Sequence, residues 1–267
     1  MVVRTLFEVG PFRVHIYGVL LAVAFVVGSL WATRAARRRG IPEERILSLI
    51  GWILISSIIG ARLHFVLAHP SSYEDPLQLF RIWEGGLTLY GGLIAAILVS
   101  FFYLRRHRIG FRPVADAIAP ALALGEGIAR IGCFLNGCCF GRACEAAIGV
   151  HYPPDSYAEM ALGDTAVYPS QLFLSVGMIA LFVLLWRIER HLPTAGRLFG
   201  LYLLGQGTLR YAVDFSRYYE PVDRLHLLGG AIQTESQLVA LVLAILGLLL
   251  LLRTRERARG EPEGRRT

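Results

Sequence analysis

The stretch VHIYGVLLAVAFVVGSLWATRAARRR, Val14–Arg39, decides the fold. Its first twenty residues hold no Asp, Glu, Lys or Arg, which is enough apolar helix to cross the ~30 Å hydrocarbon layer of a bilayer. Arg34, Arg37, Arg38 and Arg39 then close the run. The run is long for a cleaved leader, and arginines follow it where a small-residue cleavage site would stand, so it reads as a retained span. An apolar run stopped by a block of arginines reads as a transmembrane helix whose far end faces the cytoplasm.

The rest of the chain has the same character. Of 267 residues, 55% are hydrophobic and 18% charged, and the mean hydropathy is +0.52. Soluble domains carry roughly a quarter charged residues. This composition excludes a disordered chain, a nucleic-acid-binding domain and an ordinary cytosolic enzyme. Six further runs follow at 46–66, 87–104, 114–135, 170–188, 198–215 and 232–252. The expected fold is therefore all-α, a polytopic membrane protein of about seven transmembrane helices. One helical domain is expected over 1–252, with outer loops at 68–86 and 136–169, the latter forming a small cap. An Arg-rich tail, 253–267, completes the chain.

All 27 basic residues are Arg. Eighteen fall in the segments after spans one, three, five and seven, among them Arg105, Arg106, Arg187, Arg190 and Arg253. The positive-inside rule then places the N-terminus outside and the C-terminus in the cytoplasm. The net charge of +7 thus reports orientation, with some attraction to anionic lipid, and not nucleic acid.

Arg62, Arg130 and Arg210 stand apart, each inside a span. An Arg at bilayer depth costs about 2.5–3.5 kcal/mol even on permissive scales, and such residues usually face a polar cavity and have a partner. Glu126 lies four residues before Arg130, and Asp214 four after Arg210, both at the spacing that shares a helix face. Gln206 and Arg217 fall near the face of Arg210 and Asp214. Interhelical ion pairs or snorkelling would account for one such Arg. Three in the outer halves of three spans point to a shared positive cavity with apolar walls. Its natural ligand carries a phosphate and acyl chains, because the guanidinium fork donates two hydrogen bonds to a phosphate at once.

Two clusters complete the inventory. Tyr90-Gly91-Gly92 opens span three, where the glycines leave room for a close helix neighbour or for a headgroup. Tyr90 is a hydrogen-bond donor or an interfacial anchor. All four cysteines (133, 138, 139 and 144) lie within twelve residues at the outer end of span four. Disulfides, a metal site and free thiols all remain open, although C-x4-C-C-x4-C is not a usual zinc spacing.

These residues resemble the bacterial prolipoprotein diacylglyceryl transferase family, from Tyr17-Gly18 to Gln237. The strongest likeness is ARIGCFLNGCCFGR, Ala129–Arg142, against the family signature G-R-x-G-N-F-x-N-x-E-x-x-G-[RN]. Arg130, Gly132, Phe134, Asn136, Gly141 and Arg142 fit it. Gly60-Ala61-Arg62 resembles the family's G-x-R, and Tyr90-Gly91-Gly92-Leu93-Ile94 its H-G-G-L-I. Tyr168-Pro169-Ser170-Gln171-Leu172-Phe173 resembles H-P-x-Q-L-Y. Gln206-Gly207-Thr208-Leu209-Arg210, followed by Asp214, resembles Y-G-x-x-R and its following Glu.

The resemblance implies a seven-span protein of the bacterial inner membrane, N-terminus outside. It would move a diacylglyceryl group from phosphatidylglycerol to the lipobox cysteine of signal-peptide-bearing prolipoproteins, releasing glycerol phosphate. Membrane lipids are its other partners, and no metal or cofactor is implied. Carried over residue by residue, the catalytic candidates are Arg130, Arg210, Tyr90 and Asp214. The substrate-binding candidates are Tyr17, Arg62, Gly91, Gly92, Glu126, Asn136, Cys138, Gly141, Gln171 and Gln206. Five departures stand out, one of them Gln206 in place of the family's Tyr. Tyr90 replaces the family's His, which removes a base titrating near neutrality. Cys133 and Cys138 replace its Asn and Glu, which admits a disulfide between them, and Asp214 replaces its second Glu. A divergent lipid-binding or lipid-moving protein that kept the headgroup pocket is the alternative, and a thiol–disulfide membrane protein ranks below both.

Overall fold

The computed structural model describes residues 5–9, 12–69, 86–192, 194–220, 232 and 234–260, with side chains over 15–69, 86–192, 194–220, 232 and 234–254. Most of the expected 68–86 loop and the end of the tail lie outside the described residues. Two short strands, β1 (Thr5–Val9) and β2 (Phe12–His15), pair antiparallel with Val9 opposite Phe12 and Glu8 opposite Arg13. This hairpin is a small addition to the expected all-α fold. It lies ahead of the first apolar run, where the search for twenty-residue spans has nothing to detect.

The rest is helical: α1 (Ile16–Arg38), α2 (Glu43–Ala68), α3 (Leu89–Arg106), α4 (Phe111–Asn136), the short α5 (Tyr157–Leu162), α6 (Ser170–Ile188), α7 (Arg197–Asp214) and α8 (Glu235–Gly260). Six of these are long and apolar enough to cross a membrane. The remaining long helix, α7, carries Arg197, Gln206, Arg210 and Asp214, and so fails on composition rather than length. Large apolar side chains face outward along the spans, among them Leu67, Val176, Phe102 and Ile59, all more than 60% exposed. Apolar surface on this scale calls for a lipid solvent.

Sequence reading offered no division within 1–252, but the chain forms two compact units. The second, 33–114, is the antiparallel pair α2–α3. A Cβ on Gly91 would collide with the Gly60 carbonyl and the His64 side chain, and one on Gly92 would press on the Ser57 carbonyl. Lipid provides no hydrophobic drive between helices, so close van der Waals approach at small residues holds such pairs. Thr88 pins the start of α3 to α2, its N–H and Oγ1 both donating to the Ala61 carbonyl.

The first unit, 1–32 with 115–267, holds the remaining long helices. Ala123, Leu174, Met178, Leu181, Leu185 and Leu198 bury a core shared by α4, α6 and α7. Ser175 Oγ donates to the Gly127 carbonyl at 2.8 Å, tying α6 to α4. The α7–α8 pair is closed by glycine, since a Cβ on Gly207 would meet the backbone of Ala240 and Ala244. At the far end of α7, buried Asp116 of α4 accepts from the N–H groups of Gly196 (2.7 Å) and Phe199 (2.8 Å). Those N–H groups have no partner within their helix, and a carboxylate suits the positive helix terminus.

Residues 137–169, where a loop is expected, form a small folded segment with its own bridges and helix. Gly141 bridges to Arg217, and Ala143 and Val150 to Val167. Ser156 caps α5 by accepting from Glu159 N–H at 3.2 Å. Phe140, Ala158 and Val167 form its core.

Candidate active site

The site is organised by a carboxylate that faces no solvent. The Asp214 side chain, on the last turn of α7, is 0% exposed. Taking a charge out of water is tolerated only with full pairing, and Asp214 has it. Thr234 Oγ1 donates to its Oδ2 at 2.6 Å, and Tyr219 Oη to its Oδ1 at 2.7 Å. Arg217 Nη1 lies 3.5 Å and Arg210 Nη2 3.7 Å from the same Oδ1. Thr234 also accepts the N–H of Gln237, so one hydroxyl caps α8 and clamps Asp214. Two hydroxyls and two guanidinium groups thus surround the carboxylate and fix its position.

What it positions are two guanidinium groups. Arg210 Nε donates to Ser236 Oγ at 2.8 Å, and its Nη1 is buried with no hydrogen-bond partner. Arg217 Nη1 donates to Tyr219 Oη at 2.7 Å, its guanidinium lies 4.9 Å from the Tyr219 ring centre, and its Nε is likewise buried and unbonded. Arg130, one turn before the end of α4, pairs with Glu126 at 3.5 Å, each side chain 21% exposed. Arg210 feels the charge of both Arg217 and Arg130. Three cations therefore share two carboxylates, leaving an excess positive charge and two unspent donors. Buried donors without acceptors are costly, and an anion would satisfy both the charge and the hydrogen bonds. A cavity of about 80 Å³ opens here between Arg142, Arg217, Tyr219, Asp214, Thr234 and Gln237.

The signature stretch fixes the neighbouring wall. Gly141 donates to the Tyr168 carbonyl at 2.9 Å, Arg142 to Ser216 at 2.9 Å, and Tyr218 to Phe140 at 3.1 Å. A Cβ on Gly141 would strike Tyr168 and Ser170, so glycine is required for this three-way contact. Ser170 and Ser216 hydroxyls meet at 2.7 Å. Gln171, at the start of α6, donates to the Cys138 carbonyl (2.8 Å) and to Tyr152 Oη (3.1 Å), and its Oε1 is buried without a partner. Burial pushes the Tyr152 phenol up to about 12, so it stays protonated. Asn136 and Gln206 each bury an unbonded amide oxygen. A second cavity of about 310 Å³ lies between Asn136, Gly137, Tyr152 and Ser156.

All four cysteines are thiols, so the bond between Cys133 and Cys138 that the sequence admits is not formed. The Sγ atoms of Cys133, Cys138 and Cys139 lie within 4.8 Å of one another, while Cys144 turns to the Ala146 carbonyl. Hydrogen bonds from the Cys133 and Cys138 thiols hold Cys139 below the ordinary thiol range; burial opposes this, and Arg217 and Arg130 reinforce it. Cys139 has φ +59°, a left-handed conformation that costs a side-chain-bearing residue about 1–2 kcal/mol. Tyr17 of α1 packs against Gly132 and lies within electrostatic reach of Arg130 and the three thiols.

Four expected residues belong to the second unit. Arg62 Nη1 donates to the Gly86 carbonyl at 3.2 Å. Tyr90 is half exposed. Gly91 and Gly92 serve the α2–α3 contact. The residues that sequence reading missed as part of the site are Arg217, Tyr219, Thr234, Ser236 and Tyr152. The one available signal was Arg217, which continues the helical row of Gln206, Arg210 and Asp214.

The chain is similar to known proteins over most of its length. A family model described as prolipoprotein diacylglyceryl transferase matches residues 4–253. Similar proteins named phosphatidylglycerol–prolipoprotein diacylglyceryl transferase occur in Vibrio cholerae, 34% identical over 92% of this chain and 89% of theirs, and in Geobacter sulfurreducens, 33% identical over 91% and 92%. Another from Pasteurella multocida is 32% identical over 92% of this chain and 90% of its own.

Proposed function

The chain belongs to the prolipoprotein diacylglyceryl transferase family, and from that premise we propose that it transfers the diacylglyceryl group of phosphatidylglycerol to the lipobox cysteine thiol of exported prolipoproteins. The sulfur attacks the glyceryl carbon that bears the phosphate, a C–S bond forms and the C–O bond breaks. The bonding pair leaves on the phosphate, which departs as glycerol phosphate, and the thiol proton passes to that phosphate or to water. During bond breaking the headgroup phosphate goes from one negative charge towards two. Groups that bind the second charge more strongly than the first lower the barrier.

The observation that carries this reading is the pair of buried, unbonded guanidinium donors, Arg210 Nη1 and Arg217 Nε, beside Arg130. These arginines would bind the headgroup and stabilise the departing phosphate, with Asp214 and Glu126 holding them in place. Gln171, Asn136, Cys138 and Gly141 shape the adjoining wall, and Gln206 and Tyr17 complete the binding set. Tyr90, standing at the family's histidine position, is assigned a catalytic role, and Arg62, Gly91 and Gly92 a binding one. Tyr90→Phe is expected to slow the transfer, and an unchanged rate would remove Tyr90 from the catalytic set.

The finer topology belongs to the same proposal. α7 is the sixth of seven spans, its polar face turned inward, and the N-terminus lies outside the bacterial inner membrane. The arginines after spans one, three, five and seven support this orientation. The deciding experiment combines the detergent-purified protein with phosphatidylglycerol and a lipobox peptide, and looks by mass spectrometry for the thioether-linked adduct. No adduct under conditions where a reference transferase works would overturn the proposal.

A further inference from the structure

The cysteine cluster is the feature whose thiol chemistry the proposed transfer does not call on, although Cys138 borders the binding wall. Three thiols converge on one point: Cys133 from the last turns of α4, and Cys138 and Cys139 from the turn that follows. In extended chain, adjacent side chains point to opposite sides. Here Gly137 (φ +70°) and Cys139 (φ +59°) both adopt the left-handed conformation on either side of Cys138. The turn they make directs two consecutive thiols back towards Cys133. A glycine at 139 would reach this backbone without strain, yet a cysteine stands there. Strained backbone of this kind persists where the surrounding structure has a use for it.

The spacing fits one chemistry closely. Three thiolates about 2.3 Å from a common metal ion have sulfurs about 4 Å apart, and these lie within 4.8 Å of one another. Cys133 is buried, and the other two are partly accessible, so an ion has a route of entry. Arg217 and Arg130 lie within electrostatic reach of Cys139, and positive charge beside the cluster favours thiolates bound to a cation. Gln171 steadies the Cys138 backbone through its carbonyl, the outer-shell support that metal ligands require. We infer that Cys133, Cys138 and Cys139 form a three-thiolate site for a soft, thiophilic d10 cation of the Cu(I) and Zn(II) class. Softness selects this class, because three sulfur ligands disfavour Mg²⁺, Ca²⁺ and Mn²⁺. The inference rests on the thiols alone and does not require the proposed transfer.

Cadmium is a spectroscopic probe for such a site. The full chain, reduced and freed of reductant under nitrogen in detergent, would be titrated with Cd²⁺. The near-ultraviolet thiolate-to-cadmium absorption and the cadmium retained per chain are then read together. One ion per chain is expected, with the absorption saturating at one equivalent. Cys133→Ser, Cys138→Ser and Cys139→Ser should each weaken binding by more than the roughly 10–100-fold that loss of an outer-shell partner costs, and Cys144→Ser should leave it unchanged. If a serine variant fails to fold, alkylation of the unaltered protein gives the same answer. Bound Cd²⁺ should then protect positions 133, 138 and 139 from a maleimide, as mapped by mass spectrometry. Absence of the absorption, or its survival in the triple serine variant, would overturn the site. So would two titratable thiols instead of four in protein purified without reductant, which would mean that the cluster carries a disulfide.

Discussion

The α2–α3 pair and the α7–α8 pair are built by the same means and serve different ends. Both are helix pairs drawn together at glycines whose Cβ atoms would meet the opposite backbone, Gly60 and Gly91 in one and Gly207 and Gly247 in the other. In α2–α3 the polar groups at the contact find backbone partners, as Thr88 does at Ala61 and Arg62 at Gly86. In α7–α8 the contact opens at its end onto a buried carboxylate and two guanidinium groups, each with a nitrogen left unbonded. Glycine packing thus makes a span, and a surplus of buried donors makes a site.

Removing a cation tests this contrast hardest. Arg130→Ala or Arg210→Ala is expected to slow adduct formation about 10²–10³-fold, the loss seen when one preorganised charge-stabilising donor is removed. A near-normal initial rate for either would dissolve the distinction between the two pairs. Next, Asp214→Asn leaves Arg210 and Arg217 without their shared counter-charge, and stability should fall by about 3 kcal/mol, read by denaturation in mixed micelles. A smaller loss would mean that the hydroxyl donors Thr234 and Tyr219, not the ion pairs, hold the cluster. Gly207→Val and Gly91→Val should each cost about 1–3 kcal/mol through overpacking. Comparable losses in the two would show that the pairs differ in chemistry and not in packing. Last, Ser236→Ala removes one hydrogen bond to Arg210, worth about 1 kcal/mol, and a rate reduced about fivefold is expected. No change would mean that Asp214 alone orients the guanidinium.

The helices were largely legible in the sequence. A bilayer demands about twenty apolar residues per crossing; six of the seven runs fall on helices long and apolar enough to cross and the run at 198–215 falls on α7, while α8 continues eight residues past its run. The β1–β2 hairpin was not, because a strand of four or five residues leaves no comparable signal. In the site, Arg130 with Glu126 and Arg210 with Asp214 were legible because both pairs are four residues apart on one helix. Tyr219, Thr234 and Ser236 were not, because short polar residues in a turn and at a helix entrance become partners only when α8 returns beside α7. The cysteines stood out in the sequence, but the convergence of three of their thiols did not, for a different reason. Sequence spacing assumes ordinary backbone, and the left-handed turn at Cys139 has no glycine to announce it.

The clamp of Asp116 on Gly196 and Phe199 sets a length as well as an end. From Gly196, Arg210 lies fourteen residues along the chain, about 21 Å along a helix rising 1.5 Å per residue. α7 therefore works as a ruler whose zero mark is gripped by Asp116 at one end and whose reading is taken at Arg210 near the other. One residue added between clamp and arginine would lift Arg210 by about 1.5 Å and swing it through about 100°. The position of the Arg210 guanidinium is thus measured out from the opposite end of its own helix.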